Sequence, residues 1–302
     1  MDVLVTGAAG FLGSHVVKRL LAEGHEVFGM DTVLPADCWR LPMELPSLTY
    51  SAGHLEDLNK VAYTNIVHCA ASSNVGFVQN SPKHAVHQTV LSTLALLRAL
   101  TPSAVRTFIN ISTHSVYEPP DVDLLLTESH PRRPGNVYGA LKVAQEALVD
   151  SFVRYYDLPA TTLRMATMYG EHDRRGSTIY EFMLKAMRNE PFTITGTGEQ
   201  TRDFNYVGNA VDAVQMFLES PPPDEHVVNI GSGVDISIID LVNACKDITN
   251  SRSEVHFAPP RADEKKTVRF ALDISLARML GYEPRVRLPK GLEKMKSWID
   301  HM

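Results

Sequence analysis

The sequence predicts an α/β protein: a doubly wound parallel sheet followed by a smaller, less regular α/β lobe at the C-terminal end. Short apolar runs that are rich in β-branched residues alternate with amphipathic helical stretches through the first half of the chain. The runs are continuously apolar, which is typical of strands that are buried on both faces of a sheet. We therefore predict a main domain at residues 1–166 and a lobe at residues 167–302.

The predicted elements follow one another in the order of a βαβ fold. The strands are expected at VLVT (3–6), EVFGM (26–30), LTY (48–50), NIVHCAA (65–71), VRTFINIS (105–112) and TTLRMA (161–166). Helices are expected over residues 11–23, from Pro82 to Leu100, and from near Val137. Right-handed crossovers between parallel strands produce a doubly wound sheet. The segment at about 205–232 is expected to complete it.

Composition narrows the classes of function. The chain has 302 residues and a net charge of −6, so it lacks the basic excess of a general nucleic-acid-binding protein. Its apolar runs are far shorter than the roughly 20 residues of a membrane helix, and no signal peptide is expected. The cysteines Cys38, Cys69 and Cys245 are widely separated. This spacing predicts reduced thiols, no metal site and a cytoplasmic protein.

A glycine-rich segment between the first strand and the first helix predicts a dinucleotide site. In VLVTGAAGFLGSH, Gly7 makes the tight turn, Gly10 lets the backbone approach a pyrophosphate, and Gly13 lets the helix pack on the sheet. The helix N-terminus offers N–H groups to the phosphates. A glycine triplet alone also occurs in purely structural turns, but the flanking strand and helix favour a Rossmann fold.

The end of the second strand predicts which dinucleotide is bound. Asp31 follows Gly13 by 18 residues, at a position where a carboxylate accepts hydrogen bonds from the adenosine ribose. The same carboxylate repels a 2′-phosphate, and no Arg or Lys follows before Arg40. The sequence therefore predicts NAD rather than NADP. The alternative is that Asp31 is a solvated turn residue.

Two further segments predict the catalytic groups. NVYGALK (136–142) places Tyr138 and Lys142 four residues apart, on one face of a helix. A nearby ammonium and a positive nicotinamide ring both favour a phenolate, so this Tyr is suited to take a proton from a sugar hydroxyl as its carbon gives hydride to NAD+. Thr113 ends a central strand, at the edge where ligands bind in such sheets, and its hydroxyl suits the reacting oxygen.

These motifs resemble the extended short-chain dehydrogenase/reductase family, specifically its NAD-dependent nucleotide-sugar epimerases and dehydratases. The resemblance runs nearly end to end and includes HCAAS (68–72), STHSVY (112–117), LRMATMYG (163–170), GTGEQTRDFNYVGNAVDA (196–213), NIGSG (229–233) and LGYEPRV (280–286). It implies a catalytic set of Thr113, Tyr138 and Lys142. The implied cofactor contacts are Gly7, Ala9, Gly10, Phe11, Leu12, Gly13, Asp31, Ala70, Ala71, Ser72, Tyr138, Lys142 and Met165. One departure is Thr89, which stands where many members have Asn.

The residues after Thr113 bear on the reaction. His114 and Ser115 stand where the related sugar dehydratases carry Asp and Glu. Elimination of water needs an acid and a base, so this pair argues against dehydration, whereas 4-epimerisation needs only reversible hydride transfer. His114 is either an acid or a hydrogen-bonded residue at the site edge. The alternatives to an epimerase are a nucleotide-sugar reductase or dehydratase and a non-catalytic NAD-binding protein.

The resemblance also predicts the substrate and a partner. The expected substrate contacts are Ser73, His114, Ser115, Thr167, Arg174, Arg202 and Arg261. Arg202 and Arg261 match the family's diphosphate-contacting arginines, since guanidinium groups suit phosphates. Thr167 and Arg174 resemble the pair in UDP-glucuronate 4-epimerases, which favours UDP-glucuronate and UDP-galacturonate over UDP-glucose, UDP-galactose or an N-acetylhexosamine. The alternative is that these arginines are surface residues in salt bridges.

The resemblance also implies a homodimer through the helices near 82–100 and 137–156.

Overall fold

The structure is a computed structural model that describes residues 1–58, 60–120, 122–222, 226–260 and 270–302. Arg261 lies outside these residues. The strands are β1 (Asp2–Thr6), β2 (Glu26–Asp31), β3 (Leu48–Ala52), β4 (Asn65–His68), β5 (Thr107–Thr113), β6 (Leu124–Leu126), β7 (Ala160–Met165), β8 (Thr167–Tyr169), β9 (Phe192–Thr195), β10 (Thr201–Tyr206), β11 (Val227–Ile230), β12 (Asp235–Ser237), β13 (Val255–Ala258) and β14 (Phe270–Leu272). The α-helices are α1 (Phe11–Ala22), α2 (Val75–Asn80), α3 (Pro82–Val86), α4 (Ser92–Ala99), α5 (Val137–Tyr156), α6 (Thr178–Arg188), α7 (Val207–Glu219), α8 (Ile238–Thr249), α9 (Ser275–Met279) and α10 (Leu288–Asp300).

The main sheet confirms the predicted doubly wound fold. Its strand order is β11-β7-β5-β4-β1-β2-β3, and neighbouring strands from β7 to β3 pair in parallel. At the β11 edge, the N–H groups of Thr162 and Ala166 donate to the carbonyls of His226 and Ile230. The strand order reverses between β1 and β4. Ligands of such sheets bind at this switch point, outside the carboxyl ends of the strands.

Burial of the central strands fits the predicted parallel sheet. Every residue of β5 and of β7 is buried, so both faces of these strands are covered. Leu4, Ile66 and Phe108 pack in one core cluster with Leu96 of α4 and Val149 of α5. Seven of the thirteen residues in these two strands are polar, and among them Asn110, Ser112 and Arg164 are hydrogen-bonded to side chains of β7 or α5.

The helix predicted from Pro82 to Leu100 is interrupted. A single π-helical turn, His87–Leu91, lies between α3 and α4. Such turns frequently occur at functional sites, because the widened turn redirects backbone groups. Thr89 lies within this turn. None of the helices in the described ranges is long and apolar enough to span a membrane.

Contacts divide the chain into two compact units. The first consists of Met1–Pro119, Ser129–Met165 and Val211–Val228, and the second of Pro120–Glu128, Ala166–Ala210 and Asn229–Met302. One division falls between Met165 and Ala166, one residue before the predicted boundary, and the chain crosses between the units at further points. The second unit contains the three-stranded sheet β12-β10-β8 and the parallel pairs β13-β9 and β14-β6.

Candidate active site

The glycine-rich turn joins β1 to α1 and leaves no room for side chains. Gly7 has a left-handed backbone (φ +68°), and a Cβ there would lie 2.7 Å from the Ala70 backbone nitrogen. A Cβ on Gly13 would lie 2.1 Å from the Gly7 carbonyl oxygen. The Gly10 N-cap makes no side-chain capping hydrogen bond to α1, which leaves first-turn N–H groups for another acceptor. This cradle fits the diphosphate of a dinucleotide.

Asp31 is anchored beside this turn. Its Oδ2 accepts a hydrogen bond from the Ala9 N–H (3.0 Å), and its Oδ1 accepts one from the Val33 N–H (3.2 Å). Both carboxylate oxygens are therefore oriented by backbone groups at the carboxyl end of β2. Arg40 also reaches the turn, where its Nη1 donates to the Ala9 carbonyl at 3.4 Å. Sequence reasoning did not anticipate this contact.

The segment after β4 is held from behind by two threonines. The Ala70 N–H donates to Thr6 Oγ1 (3.3 Å), and the Ser72 N–H donates to Thr89 Oγ1 (3.1 Å). Ala70 and Ala71 are half-buried, Ser72 is buried and Ser73 is exposed. The threonine in the π-helical turn thus fixes the backbone of a predicted cofactor segment.

A buried histidine connects these two threonines. The Thr93 hydroxyl donates to the Thr89 carbonyl (2.6 Å), so it accepts from His68 Nε2–H at 2.8 Å. His68 Nδ1 then accepts from the Thr6 hydroxyl at 2.7 Å. Burial, with the charge of Lys142, lowers the pKa of His68 to about 3. The imidazole is therefore neutral at physiological pH and is locked in one tautomer.

The predicted catalytic residues lie on β5 and α5. Thr113 is buried at the end of β5, and its Oγ1 accepts the Ser115 N–H at 3.2 Å. Tyr138 is half-buried, one turn before Lys142, and packs against a small apolar cluster that includes Leu141. A Cβ on Gly139 would lie 2.1 Å from the Ser115 carbonyl, so α5 contacts the turn after Thr113 directly.

Lys142 is buried and held from two sides. Its Nζ donates to the Ile111 carbonyl and to Gln145 Oε1, each at 2.6 Å. Gln145 in turn donates to Asn110 Oδ1 at 2.9 Å. Burial lowers the pKa of Lys142 to about 8, while Glu146 and Cys69 oppose the shift. The ammonium form therefore predominates at neutral pH and points along a fixed direction.

A buried ion pair lies behind these groups. Arg164 Nε donates to Glu146 Oε1 (3.0 Å) and its Nη2 donates to Oε2 (2.8 Å), with only 3% of each side chain exposed. Ser112 and Arg132 also donate to this carboxylate. Burial would raise the pKa of Glu146, but the hydrogen bonds and charge of Arg164 hold it below its ordinary value. This network, which sequence reasoning missed, ties α5 to β5 and β7.

His114 lies half-buried in a short 3₁₀ turn directly after Thr113. Its Nδ1 donates to the carbonyl of Met165, the buried last residue of β7, at 3.3 Å. A carbonyl only accepts, so this contact fixes the proton on Nδ1 in the neutral ring. The contact fits the interpretation of His114 as a hydrogen-bonded residue at the site edge.

The predicted substrate residues of the second unit lie on β8, β10 and a turn. Thr167 begins β8 and is paired in register with Phe204 of β10. Arg202 lies on β10, opposite Ile236, and its Nη1 donates to the Thr201 carbonyl at 2.7 Å. Thr167 and Arg202 are both half-buried on one three-stranded sheet.

Arg174 lies in the turn after β8, which is ordered by a buried carboxylate. Asp173 accepts the Arg174 N–H (2.7 Å) and the Ser177 hydroxyl (2.6 Å), and it is itself 7% exposed. His172 adopts a left-handed backbone (φ 62°) within this turn. Within the part of the chain that the structure describes, no hydrogen bond or ion pair engages the Arg174 guanidinium. The turn is thus structured, and its cation is suited to an external anion.

The first unit gathers most of the predicted site residues at the carboxyl ends of the main sheet, and their individual roles stay predictions. A sequence model of the NAD dependent epimerase/dehydratase family matches residues 3–231. The chain belongs to this family. NAD is therefore the cofactor of this epimerase/dehydratase family enzyme, as the sequence predicts.

Relatives of this family member differ in their sugars. The chain is 30% identical to a putative UDP-glucose 4-epimerase from Methanocaldococcus jannaschii, over 98% of both chains. It is 26% identical to a probable UDP-glucuronate 4-epimerase from Rhizobium meliloti, over 99% of this chain and 97% of the other.

Solved structures show the same range. One is UDP-glucose 4-epimerase from Thermotoga maritima with UDP-glucose (30% identity, TM-score 0.89, covering 100% of this chain and 99% of the other). Another is UDP-glucuronic acid 4-epimerase from Bacillus cereus with UDP-glucuronic acid and NAD (28% identity, TM-score 0.88, covering 100% and 99%).

Proposed function

We propose that this enzyme is a nucleotide-sugar 4-epimerase that acts on UDP-glucuronate and UDP-galacturonate. The observation that carries the reaction is the meeting of α5 and β5, with Lys142 buried next to the carboxyl end of the strand that Thr113 terminates. Tyr138 precedes Lys142 by one helical turn. The UDP group is supported by the names of the relatives, several of which are UDP-sugar 4-epimerases.

The first unit offers the groups that would hold the cofactor. The N–H groups at the start of α1 suit the diphosphate, Asp31 suits the adenosine ribose, and Ala70 to Ser72 would line the path to the reacting end. When bound, NAD supplies a hydride acceptor for C4 of the sugar and returns the hydride to that carbon.

The protein's own groups would move the proton. Tyr138 accepts the proton of the C4 hydroxyl as the carbon is oxidised, and the Lys142 ammonium stabilises the resulting phenolate. The Thr113 hydroxyl donates a hydrogen bond to the reacting oxygen and keeps it beside Tyr138. Tyr138 gives the proton back after the keto-sugar has turned. No further acid is needed, which supports epimerisation over dehydration.

The sugar preference is proposed from residue types and from the turn at Arg174. A uronate carries a carboxylate at C5, and a guanidinium with a threonine hydroxyl supplies donors for it. A 4-keto uronate loses carbon dioxide readily, so an epimerase must also hold this carboxylate still. Arg174, on a turn anchored by Asp173, suits both tasks. A neutral sugar is the second candidate, because relatives include UDP-glucose and UDP-N-acetylglucosamine 4-epimerases.

A panel of nucleotide sugars tests this proposal. The purified enzyme is incubated with UDP-glucuronate, UDP-galacturonate, UDP-glucose and UDP-N-acetylglucosamine, and products are assigned by NMR while absorbance at the NADH band is followed. We expect interconversion of the uronates without accumulation of NADH. Conversion of neutral sugars alone would leave a hexose or N-acetylhexosamine epimerase. Stoichiometric NADH would indicate a net oxidoreductase instead.

We also propose a homodimer and a cytoplasmic location. The dimer is supported by large apolar side chains exposed on the predicted interface helices, namely Val86, Leu91, Tyr155 and Tyr156, at 38%, 45%, 80% and 50%. Light scattering at micromolar concentration tests it, and a monomeric mass would contradict it. The location rests on cysteine usage alone, since Cys38, Cys69 and Cys245 are free thiols.

A further inference from the structure

A cation and an anion meet at one residue of the glycine-rich turn. The Ala9 N–H donates to Asp31 Oδ2 at 3.0 Å, and the Ala9 carbonyl accepts from Arg40 Nη1 at 3.4 Å. Only three covalent bonds separate the amide nitrogen and the carbonyl oxygen of one residue. The Arg40 guanidinium and the carboxylate to which we assign the adenosine ribose are therefore held by the same residue of the turn.

The loop that carries Arg40 is folded onto the sheet. Its guanidinium carbon lies 4.2 Å from the centroid of the Trp39 ring, a distance at which a cation is attracted to the aromatic face. The Tyr50 hydroxyl donates to the Val33 carbonyl at 2.6 Å, and Cys38 is buried just before Trp39. These contacts fix the position of Arg40 near the glycine-rich turn. The sequence pattern does not indicate this position, because Arg40 lies in a loop without regular periodicity.

Both charges act on the same buried atom. Burial raises the pKa of the Cys38 thiol, a hydrogen bond with Tyr50 lowers it, the Asp31 carboxylate raises it and the Arg40 guanidinium lowers it. This agrees with the hydrogen-bond geometry. Asp31 and Arg40 thus carry opposite charges and both lie within electrostatic range of Cys38.

We propose that Arg40 is a specificity-determining residue that forms the cationic half of a latent 2′-phosphate site. In the native enzyme, the Asp31 carboxylate rejects a ribose 2′-phosphate. Without that carboxylate, Arg40 supplies donors that recognise a phosphate on the adenosine ribose. The inference rests on the proposed placement of the ribose at Asp31. It extends that proposal, because without a nearby cation the removal of Asp31 would weaken the discrimination against NADP but would add no group that binds the 2′-phosphate.

Isothermal titration calorimetry of NAD and NADP tests the inference in four proteins. Asp31→Ser should tighten NADP binding by about ten- to a hundredfold, the range that a charge-assisted hydrogen bond provides. Asp31→Ser combined with Arg40→Ala should lose most of this gain. Asp31→Ser combined with Arg154→Ala, which removes an exposed arginine at the far end of α5, should keep it.

The failure modes are distinguishable. If Asp31→Ser changes the affinity of neither dinucleotide, the ribose placement is wrong and the Arg40 inference falls with it. If NADP binding improves but persists after Arg40→Ala, the ribose placement stands and Arg40 is not the phosphate partner. Because Asp31 also orders two backbone N–H groups, Arg40→Glu in the native background provides a second test. It should increase the preference for NAD over NADP by at least about tenfold, and an unchanged preference would overturn the inference.

Discussion

The carboxyl end of β5 together with α5, where the proposed catalytic residues lie and which we call the catalytic end, holds its side chains differently from the Arg174 turn of the second unit. Lys142 and Glu146 are buried, and each is engaged by two or more protein groups. Arg174 is half-buried on a turn whose backbone is fixed by Asp173. Lys142 and Glu146, which are proposed to support the chemistry, are thus part of the core, whereas Arg174, which is proposed for the sugar, is displayed on a turn.

This difference has an energetic basis. A buried charge is tolerated only when it is paired and hydrogen-bonded, so the buried Lys142 and Glu146 side chains bear on stability as well as on the proposed chemistry. A cation on a turn contributes little to folding and is exchanged at small cost. The comparison fits a family in which UDP-glucose and UDP-glucuronic acid 4-epimerases both superpose on this chain with TM-scores of 0.89 and 0.88.

The largest effect is expected at the reacting oxygen. Tyr138→Phe removes only the phenolic hydroxyl and keeps the ring packed, so turnover should fall by about 10²–10⁴-fold with NAD binding retained. Conversion of UDP-sugars followed by NMR, with NAD affinity by calorimetry, measures both. Tyr63→Phe removes the hydroxyl of a half-buried ring that stacks on Phe28, and it should leave turnover unchanged. Near-native turnover in Tyr138→Phe would place the base elsewhere.

The next effect tests how much the buried Glu146–Arg164 ion pair contributes to the free energy of unfolding. Glu146→Ala leaves the Arg164 charge uncompensated, so the free energy of unfolding should fall by about 3–5 kcal/mol in urea titrations. Asp150→Ala, one turn later on α5, breaks an exposed pair with Arg154 and should cost about 1 kcal/mol or less.

A second substitution keeps this test sharp. Arg164→Leu in the Glu146→Ala background removes the orphaned charge and should recover part of the loss. Equal losses in the free energy of unfolding for Glu146→Ala and Asp150→Ala would show that the buried pair stabilises the fold no more than the exposed pair does.

Local motifs made part of this architecture predictable. The glycine turn, the Tyr–Lys pair and the continuously apolar strands each depend on residues close in sequence, so their spacing identifies them. The Ser112–Glu146 and Arg164–Glu146 contacts join positions 34 and 18 residues apart, and no local period encodes them. Arg164 lies inside a buried strand, and a charged residue at such a position indicates a buried partner of opposite charge.

Other features were hidden for different physical reasons. The π-helical turn at His87–Leu91 changes the helix by one residue, which leaves an amphipathic pattern nearly unaltered. Arg40 reaches Ala9 from an irregular loop, where no periodicity reports direction. The approach of Gly139 to Ser115 depends on how α5 packs, so only coordinates reveal why that position is glycine.

A smaller effect is expected on the turn of the second unit. If Arg174 holds a uronate carboxylate, Arg174→Ala should raise KM for UDP-glucuronate by about ten- to a hundredfold, because a charge-assisted hydrogen bond contributes about 1.5–3 kcal/mol. Activity on neutral UDP-sugars and the free energy of unfolding should hardly change, and a decarboxylated side product should increase. Arg175→Ala, at the exposed neighbouring position, is the matched control. Equal losses on charged and neutral sugars would assign Arg174 to the diphosphate or to structure.

The smallest effect concerns His68, the buried imidazole in the hydrogen-bond chain of Thr6, His68, Thr93 and Thr89. Burial lowers the pKa of His68 to about 3, below the value of about 6.5 expected for an unfolded chain. Between these values the unfolded state binds a proton that the folded state does not, so the free energy of unfolding decreases as pH falls from 6.5 towards 3. This group alone should remove about 2 kcal/mol between pH 7 and pH 5.

His68→Gln removes that titration, so the free energy of unfolding of this variant should fall by about 2 kcal/mol less than that of the native protein between pH 7 and pH 5. Its free energy of unfolding at pH 7 should be lower than the native value, because the hydrogen bonds to Thr6 and Thr93 are altered. Urea unfolding at pH 7, 6 and 5 measures the slopes. His84→Gln, at an exposed position on α3, is the control and should keep the native slope. An identical slope in native protein and His68→Gln would show that the folded and unfolded states protonate this imidazole over the same pH range. In that case His68 would not be held neutral between pH 7 and pH 5. Its protonation would disrupt the hydrogen-bond chain that links Ala70 to Ser72 through Thr6, His68, Thr93 and Thr89, because Nδ1 could no longer accept from Thr6.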